Sequence, residues 1–299
     1  MGDSMASLSR KISSAGELQS VVRTMKALAA ANISQYEQSV RALADYKQAV
    51  ALGLSVCLRA IGPPPLPLGK HSARPPVVRA VVFGSDQGLV GQFNESITDF
   101  AITRLATLPS NAQLWAVGEC AHASLADAGL TLLGLFAVPQ SVQAIAPLIG
   151  QILLANQTIA EDNNELYLFY NHPTADGLYT PTQQRLLPLD DRWLQQLAAQ
   201  PWSTRCLPDV LGDSAATLSA LTGEYLFVSL FRACAESLAS ENASRLAAME
   251  RADQNIDGLL ESLYSSYHQL RQSGIDEELF DVIAGYEALA KEQCKGGRM

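Results

Sequence analysis

Neither of the two common phosphate-binding fingerprints occurs in this sequence. There is no G-x-x-x-x-G-K-[ST] run and no G-x-G-x-x-G, so the amide cradle, lysine and hydroxyl that together hold a nucleotide's phosphates are not assembled locally. Catalytic signatures are missing too: no G-x-S-x-G, no H-E-x-x-H and no Cys/His pair with motif support. Cysteine and histidine are scarce. Cys57, Cys120, Cys206, Cys234 and Cys294 form an odd, widely spaced set, which predicts reduced thiols of a cytosolic compartment rather than a disulfide framework. His71, His122, His172 and His268 are equally scattered, and no metal-ligand spacing results. No apolar run approaches the ~18 residues of a membrane span. Arg10-Lys11 is followed by polar Ser13-Ser14, so no secretory signal is expected. Catalytic residues, a cofactor and a metal are therefore not expected.

Positive charge is in short supply. The 21 Lys/Arg against 30 Asp/Glu give a net charge of −9, which excludes the basic footprint of a nucleic-acid binder. The deficit is uneven. Residues 1–60 carry seven Lys/Arg against four Asp/Glu, whereas residues 61–213 and 214–299 each carry seven against thirteen. A basic first segment on an acidic chain fits either an acidic protein partner or a solvated helix face.

Glycine and proline are absent from Glu17 to Leu52, and no proline follows Pro208. In the first region Leu8, Ile12, Ala15, Leu18, Val22, Met25, Ala29, Ile33, Tyr36, Val40, Leu43, Tyr46, Val50, Leu54, Cys57 and Ile61 recur in steps of three or four. The mean step of about 3.5 is that of a left-handed coiled coil. The same rhythm runs through Leu218, Leu221, Tyr225, Val228, Phe231, Ala235, Leu238, Asn242, Arg245, Met249, Ala252, Ile256, Leu259, Leu263, Tyr267, Leu270 and Gly274. Two helices of roughly 80 and 120 Å follow from the helical rise. The first seam is rich in alanine, so each helix needs a partner, and an antiparallel pair closed by the termini is the economical arrangement. Ser273-Gly274 before Asp276-Glu277-Glu278 reads as a kink followed by the acidic first turn of a restarting helix.

Between the helices, residues 62–76 form a proline-rich linker. Strands are expected at 77–83, 113–117, 132–138, 165–170 and 182–187, with helices at 95–107, 121–127 and 141–155. Such alternation predicts a Rossmann-like α/β domain over 77–208, its mostly parallel sheet covered on both faces. The fold class is thus α/β: a long antiparallel coiled coil of residues 1–61 and 209–299 plus this central domain. The turn after the first strand, "FGSDQGLVGQFN" at 83–94, has glycines at 84, 88 and 91 but no following lysine. Asp86 would repel a phosphate there. The turn reads instead as glycines supplying positive φ and close approach, with Asp86 capping it and Asn94 as N-cap of the next helix. Asp190-Asp191 reads as a loop pair.

Four stretches carry a family resemblance. "ISSAGELQSVVRTMKALAAANI" at 12–33, "SDQGLVGQFN" at 85–94, "TPTQQRLLPL" at 180–189, and "SENASRLAAMERADQN" at 240–255 with "RQSGIDEELFDVIAG" at 271–285 resemble, in order, the gamma subunit of rotary F-type ATP synthases. The resemblance implies a non-catalytic rotor shaft inside a ring of alpha and beta subunits. Its foot would stand with the epsilon subunit on the membrane c-ring, at the cytoplasmic face of a bacterial plasma membrane. It also implies that Arg23, Met25 and Lys26 face an acidic lever loop of beta. Arg245, Arg271, Gln272, Asp276 and Glu278 would serve helix packing or the catch between shaft and ring. The sequence departs from the family pattern at Gln87, Val90, Gln92, Asp276 and Tyr286, and a tail, "AKEQCKGGRM", follows Leu289. These departures suggest a divergent, alternative synthase whose tail reaches further into the ring's collar, with proton or sodium coupling left open. Two rivals remain: a nucleotide-binding α/β enzyme with a helical oligomerisation arm, and a coiled-coil adaptor for other partners.

Overall fold

A computed structural model describes residues 4–61, 77–108, 112–156, 165–174, 179–199, 201–202, 206 and 208–296, with side chains described to residue 285. The linker at 62–76 lies outside the described residues, as do the side chains of the tail. The chain divides into two compact units, residues 1–27 with 249–299, and residues 28–248.

Two helices dominate: α1, Met5–Ile61, and the last helix, α6, Ser214–Gly296. The expected length of both holds, but the expected restart does not. Helix α6 runs unbroken through Gly274. A Cβ at Gly223, Gly258 or Gly274 would meet nothing within 4 Å, so these glycines mark no bend or close approach. They cost only the ordinary penalty of glycine in a helix, about 1 kcal/mol each.

In both units α1 and α6 run antiparallel. Residues 19, 23 and 26 meet 257, 253 and 250 in the first unit. Asn32 and Tyr46 meet Asn242 and Glu224 in the second. The buried apolar positions of α1 are Leu8, Ala15, Val22, Ala29, Tyr36, Val50 and Cys57, joined by Leu54 and Leu58. All but the last two stand on one heptad position. The second row of the expected seam is only half covered. Leu18 is 54% exposed, and Tyr46, Ile61, Leu259 and Leu270 are exposed as well. With alanine at 15 and 29 the contact is narrow, and a pair of helices covers a single row where a larger bundle would cover two.

The second unit holds the α/β layers. Five strands, β1 Val78–Phe83, β2 Gln113–Val117, β3 Thr131–Phe136, β4 Glu165–Pro173 and β5 Tyr179–Leu187, form one sheet in the order β3-β2-β1-β4-β5. The first four are parallel and β5 is antiparallel to β4. Helices α2 (Phe93–Leu105) and α3 (Glu119–Asp127) cover one face, where Val78, Ala80 and Val82 pack on Ile97, Ala101 and Leu125. The other face carries Val81, Phe83 and Leu168 against α4 (Val142–Ala155) and the middle of α6. Residues 228–242 of α6 are buried all round except at Arg232, because they lie between the sheet layer and α1.

Two local expectations change. Helix α2 starts at Phe93, so Asn94 lies inside its first turn and is 7% exposed rather than capping it. Asp190-Asp191 is the start of a short helix, α5 (Asp191–Ala199), not a loop. Asp190 accepts from Arg192 N at 3.1 Å as its N-cap, and Leu194 and Leu197 pack on Val50, Leu54 and Leu58 of α1.

Candidate functional site

In an open α/β sheet, ligands bind beyond the carboxyl ends of the strands, where the connections diverge. Here that place lies between β1 and β4, and the chain closes it with its own groups. Ser85 N donates to Asn94 Oδ1 at 3.0 Å, and Asn94 Nδ2 donates to Ser85 Oγ at 2.8 Å. Leu89 at φ 62° and Gly91 at φ 58° turn the loop back. Asp86 caps, but not its own turn: its Oδ1 accepts from Glu119 N at 3.2 Å, at the head of α3, and its Oδ2 from Val138 N at 3.0 Å. Helix α6 covers the rest, with Ser244 Oγ donating to Val90 O at 2.8 Å and Ser240 Oγ to Asn171 O at 3.0 Å. Three amides at this place, those of Ser85, Glu119 and Val138, are thus engaged by amide and carboxylate oxygens. Asp86→Ala should lower the stability of the second unit by about 2 kcal/mol or more, since two backbone donors lose their acceptor. The denaturant midpoint of the full chain checks this.

The remaining candidates fall on the helix pair. In the first unit Arg23 Nε lies 3.2 Å from Asp253 Oδ1, its Nη2 lies 3.7 Å from Asp257, and Lys26 Nζ lies 3.4 Å from Glu250. Gln19 Nε2 donates to Asp253 at 3.2 Å and also to Asp257. A stripe of α1 at 19, 23 and 26 therefore meets an acidic stripe of α6 at 250, 253 and 257. Their matching steps of three and four were the sequence signal for this pairing, which sequence reasoning did not use. The Arg23 side chain keeps 58% exposure, so these pairs contribute little stability, about 0–1 kcal/mol each. Met25 is half-buried between them. Further along α6, Arg271, Gln272, Asp276 and Glu278 are all exposed. Beside them Ile275, Leu279, Phe280, Val282 and Ile283 are 46–69% exposed.

Arg245 behaves differently. Its side chain is only 14% exposed, and its Nη2 donates to Glu241 Oε1 at 2.8 Å. With Asn242, whose Oδ1 accepts from Asn32 Nδ2 at 3.4 Å, it closes the second unit's helix pair over the sheet edge. A second buried carboxylate, Glu236, accepts from Arg232 Nε at 2.6 Å and lies 2.8 Å from His172 Nδ1 on β4. Burial, then the Glu236 charge, pushes the nearby Tyr170 hydroxyl up to about 12. Burial also lowers Lys47, with Arg232 adding to the shift. Among the described residues there is no cluster of His, Cys, Asp or Glu fit for a metal, and no helix long and apolar enough to cross a membrane.

Comparison with known proteins agrees with this geometry. The family model described as ATP synthase matches residues 4–289. The ATP synthase gamma chain of Syntrophus aciditrophicus is 26% identical over 295 residues, covering 95% of this chain and 98% of its own. That of Zymomonas mobilis is 28% identical over 298 residues, covering 96% and 99%. A chain of the Tetrahymena thermophila mitochondrial ATP synthase central stalk and c-ring superposes with a TM-score of 0.55 at 22% identity, covering 78% of this chain and 99% of its own. A chain of the Euglena gracilis mitochondrial enzyme gives 0.61 at 16% identity, covering 97% and 95%. Both structures share the fold. Matched along nearly its whole length by the family model and by gamma chains, the chain belongs to the ATP synthase family, as a gamma chain.

Proposed function

We propose that this gamma chain turns as the central stalk within a hexamer of three alpha and three beta subunits, coupling a membrane ion-driven ring to their catalytic sites. The observation that carries this reading is a long antiparallel helix pair joined to an α/β sheet whose ligand crevice is filled by the chain itself. A part built this way does no nucleotide chemistry. It acts by differential contact: whichever beta conformation its asymmetric face favours at a given angle gains population. A ligand shifts a two-state equilibrium only by its difference in affinity for the two states, so the exposed side chains along the helix pair carry the coupling.

In this proposal Arg23, Met25 and Lys26 meet an acidic loop of beta. The 58% exposure of Arg23 leaves room for a second carboxylate beside Asp253. Arg271, Gln272, Asp276 and Glu278 meet the ring from the exposed stretch of α6, and the tail beyond Leu289 reaches further into it. Arg245 packs the stalk to its foot. The epsilon subunit and the c-ring are the remaining partners, and the complex sits at the cytoplasmic face of a bacterial plasma membrane. Reconstitution with cognate alpha and beta subunits tests the reading. A stoichiometric complex with one copy of this chain per hexamer, and ATP hydrolysis that depends on it, is the expected result. A hexamer that neither retains the chain nor responds to it would overturn the proposal.

A further inference from the structure

Beyond the carboxyl ends of β1 and β4 lies a small, half-open polar cavity of about 70 Å³. It is lined by Asp86 from the turn, Tyr36 from α1, Gln140 from the β3–α4 loop, and Glu241, Asn242 and Arg245 from α6. Glu241 is 6% exposed, and its two oxygens fare differently. Oε1 accepts from Arg245 Nη2 at 2.8 Å, whereas Oε2 is buried without any partner. An acceptor left so is costly unless water or a proton completes it.

The charge balance favours a proton. Two carboxylates, Asp86 and Glu241, face one guanidinium, Arg245. Asp86 is held by two backbone N–H donors, which suit a carboxylate. The surplus negative charge therefore falls on Glu241, whose Oε2 is buried and has no donor to hold that charge. The other titratable groups facing the cluster are Tyr36 on α1 and Cys234 on α6, and neither supplies a positive charge. Burial first, and then Asp86, raise the Glu241 carboxyl above its ordinary range, against the opposing pull of Arg245. Burial likewise raises the Tyr36 hydroxyl.

We propose that Glu241 is an internal proton site of the folded chain, its buried Oε2 carrying the proton where the turn after β1 meets the helix pair. Only proton binding is involved; no bond other than O–H forms or breaks. A carboxyl whose folded affinity for the proton exceeds its unfolded one contributes stability that is full below the unfolded pKa and is lost as pH rises through the folded one. The joint is therefore tighter on the acid side of that window.

The test is infrared difference spectroscopy of the full chain across this pH range. The expected result is a protonated-carboxyl stretching band at neutral pH that is lost in Glu241→Gln. A wild-type spectrum without that band, or a band that persists in Glu241→Gln, overturns the proposal. Asp86→Asn provides a second arm in which Glu241 itself is left in place. Removing the opposing charge should shift the band's disappearance to lower pH, and an unshifted titration counts against the site as drawn.

Discussion

Gly118→Ala should destabilise the second unit by about 3–4 kcal/mol, a large loss for a single methyl group. Gly118 links β2 to α3 at φ 103°, a conformation that L side chains rarely adopt. A Cβ there would stand 2.7 Å from the carbonyl carbon and oxygen of Ser85 and 2.8 Å from its nitrogen. Left-handed backbone costs a non-glycine residue roughly 1–2 kcal/mol, and overpacking adds roughly 1–3. Ser85 has little freedom to retreat. Its nitrogen is bonded to Asn94, and its carbonyl accepts from Cys120 N at 3.0 Å. A loss of this size is a large fraction of the stability of an ordinary domain, about 5–15 kcal/mol. Urea unfolding followed by circular dichroism and tryptophan fluorescence checks it. Gly88→Ala, in the neighbouring turn, is the internal control. A Cβ at Gly88 meets nothing within 4 Å, so that change should stay within about 0.5 kcal/mol. Equal effects at the two glycines would contradict the close approach described for the sheet edge.

The difference between those glycines marks how far the sequence could be read. "FGSDQGLVGQFN" shows that a turn follows β1 and that no phosphate motif fills it. It does not show that Gly91 needs a positive φ while Gly88 does not, nor that a neighbouring glycine, Gly118, combines a positive φ with a close approach to the Ser85 backbone. Asp86 was legible as a cap, but its partners at Glu119 and Val138 lie 33 and 52 residues away. No local pattern encodes such a reach. The coiled-coil rhythm was legible because a 3.5-residue period is a property of one strand of sequence. Which row would be buried was not, because that depends on what the partner helix brings. Alanines 15 and 29 draw the helices together at one heptad position and leave Leu18 outside. Within α6 the burial at 228–242 has its own signature: Ala233, Ala235 and Ala239 with Ser229, Ser237 and Ser240 leave no face consistently charged. A helix without a polar face is a buried one. The family motifs identified the stalk but left Arg245 between helix packing and the catch with the ring; its guanidinium is turned toward Glu241.

Near the far end of α6 the proposed function has its sharpest consequence. Replacing Ile275, Leu279, Phe280, Val282 and Ile283 with alanine should weaken retention of the chain by the alpha–beta hexamer about a hundredfold. These side chains are 46–69% exposed in the free chain, an unusual density of open apolar surface for a soluble helix, and such patches mark contact sites. Fully burying a side chain of this class is worth roughly 1.5–3 kcal/mol, so covering the exposed half of each contributes roughly 1 kcal/mol. Ordering of the helix and loss of side-chain freedom offset part of that sum. A net change of about 3 kcal/mol is close to two powers of ten in affinity. Alanine keeps the helix propensity high, and in the free chain the variant should unfold as the wild type does. Arg271→Ala and Glu278→Ala, at exposed polar positions beside the patch, should each cost less than about tenfold, as charges at the rim of an interface do. Retention is read as the fraction of hexamer that keeps the chain through gel filtration at falling concentration. If the five-alanine variant stays bound like the wild type while Arg271→Ala releases it, the catch is electrostatic, and the apolar stretch of α6 is not what the ring holds.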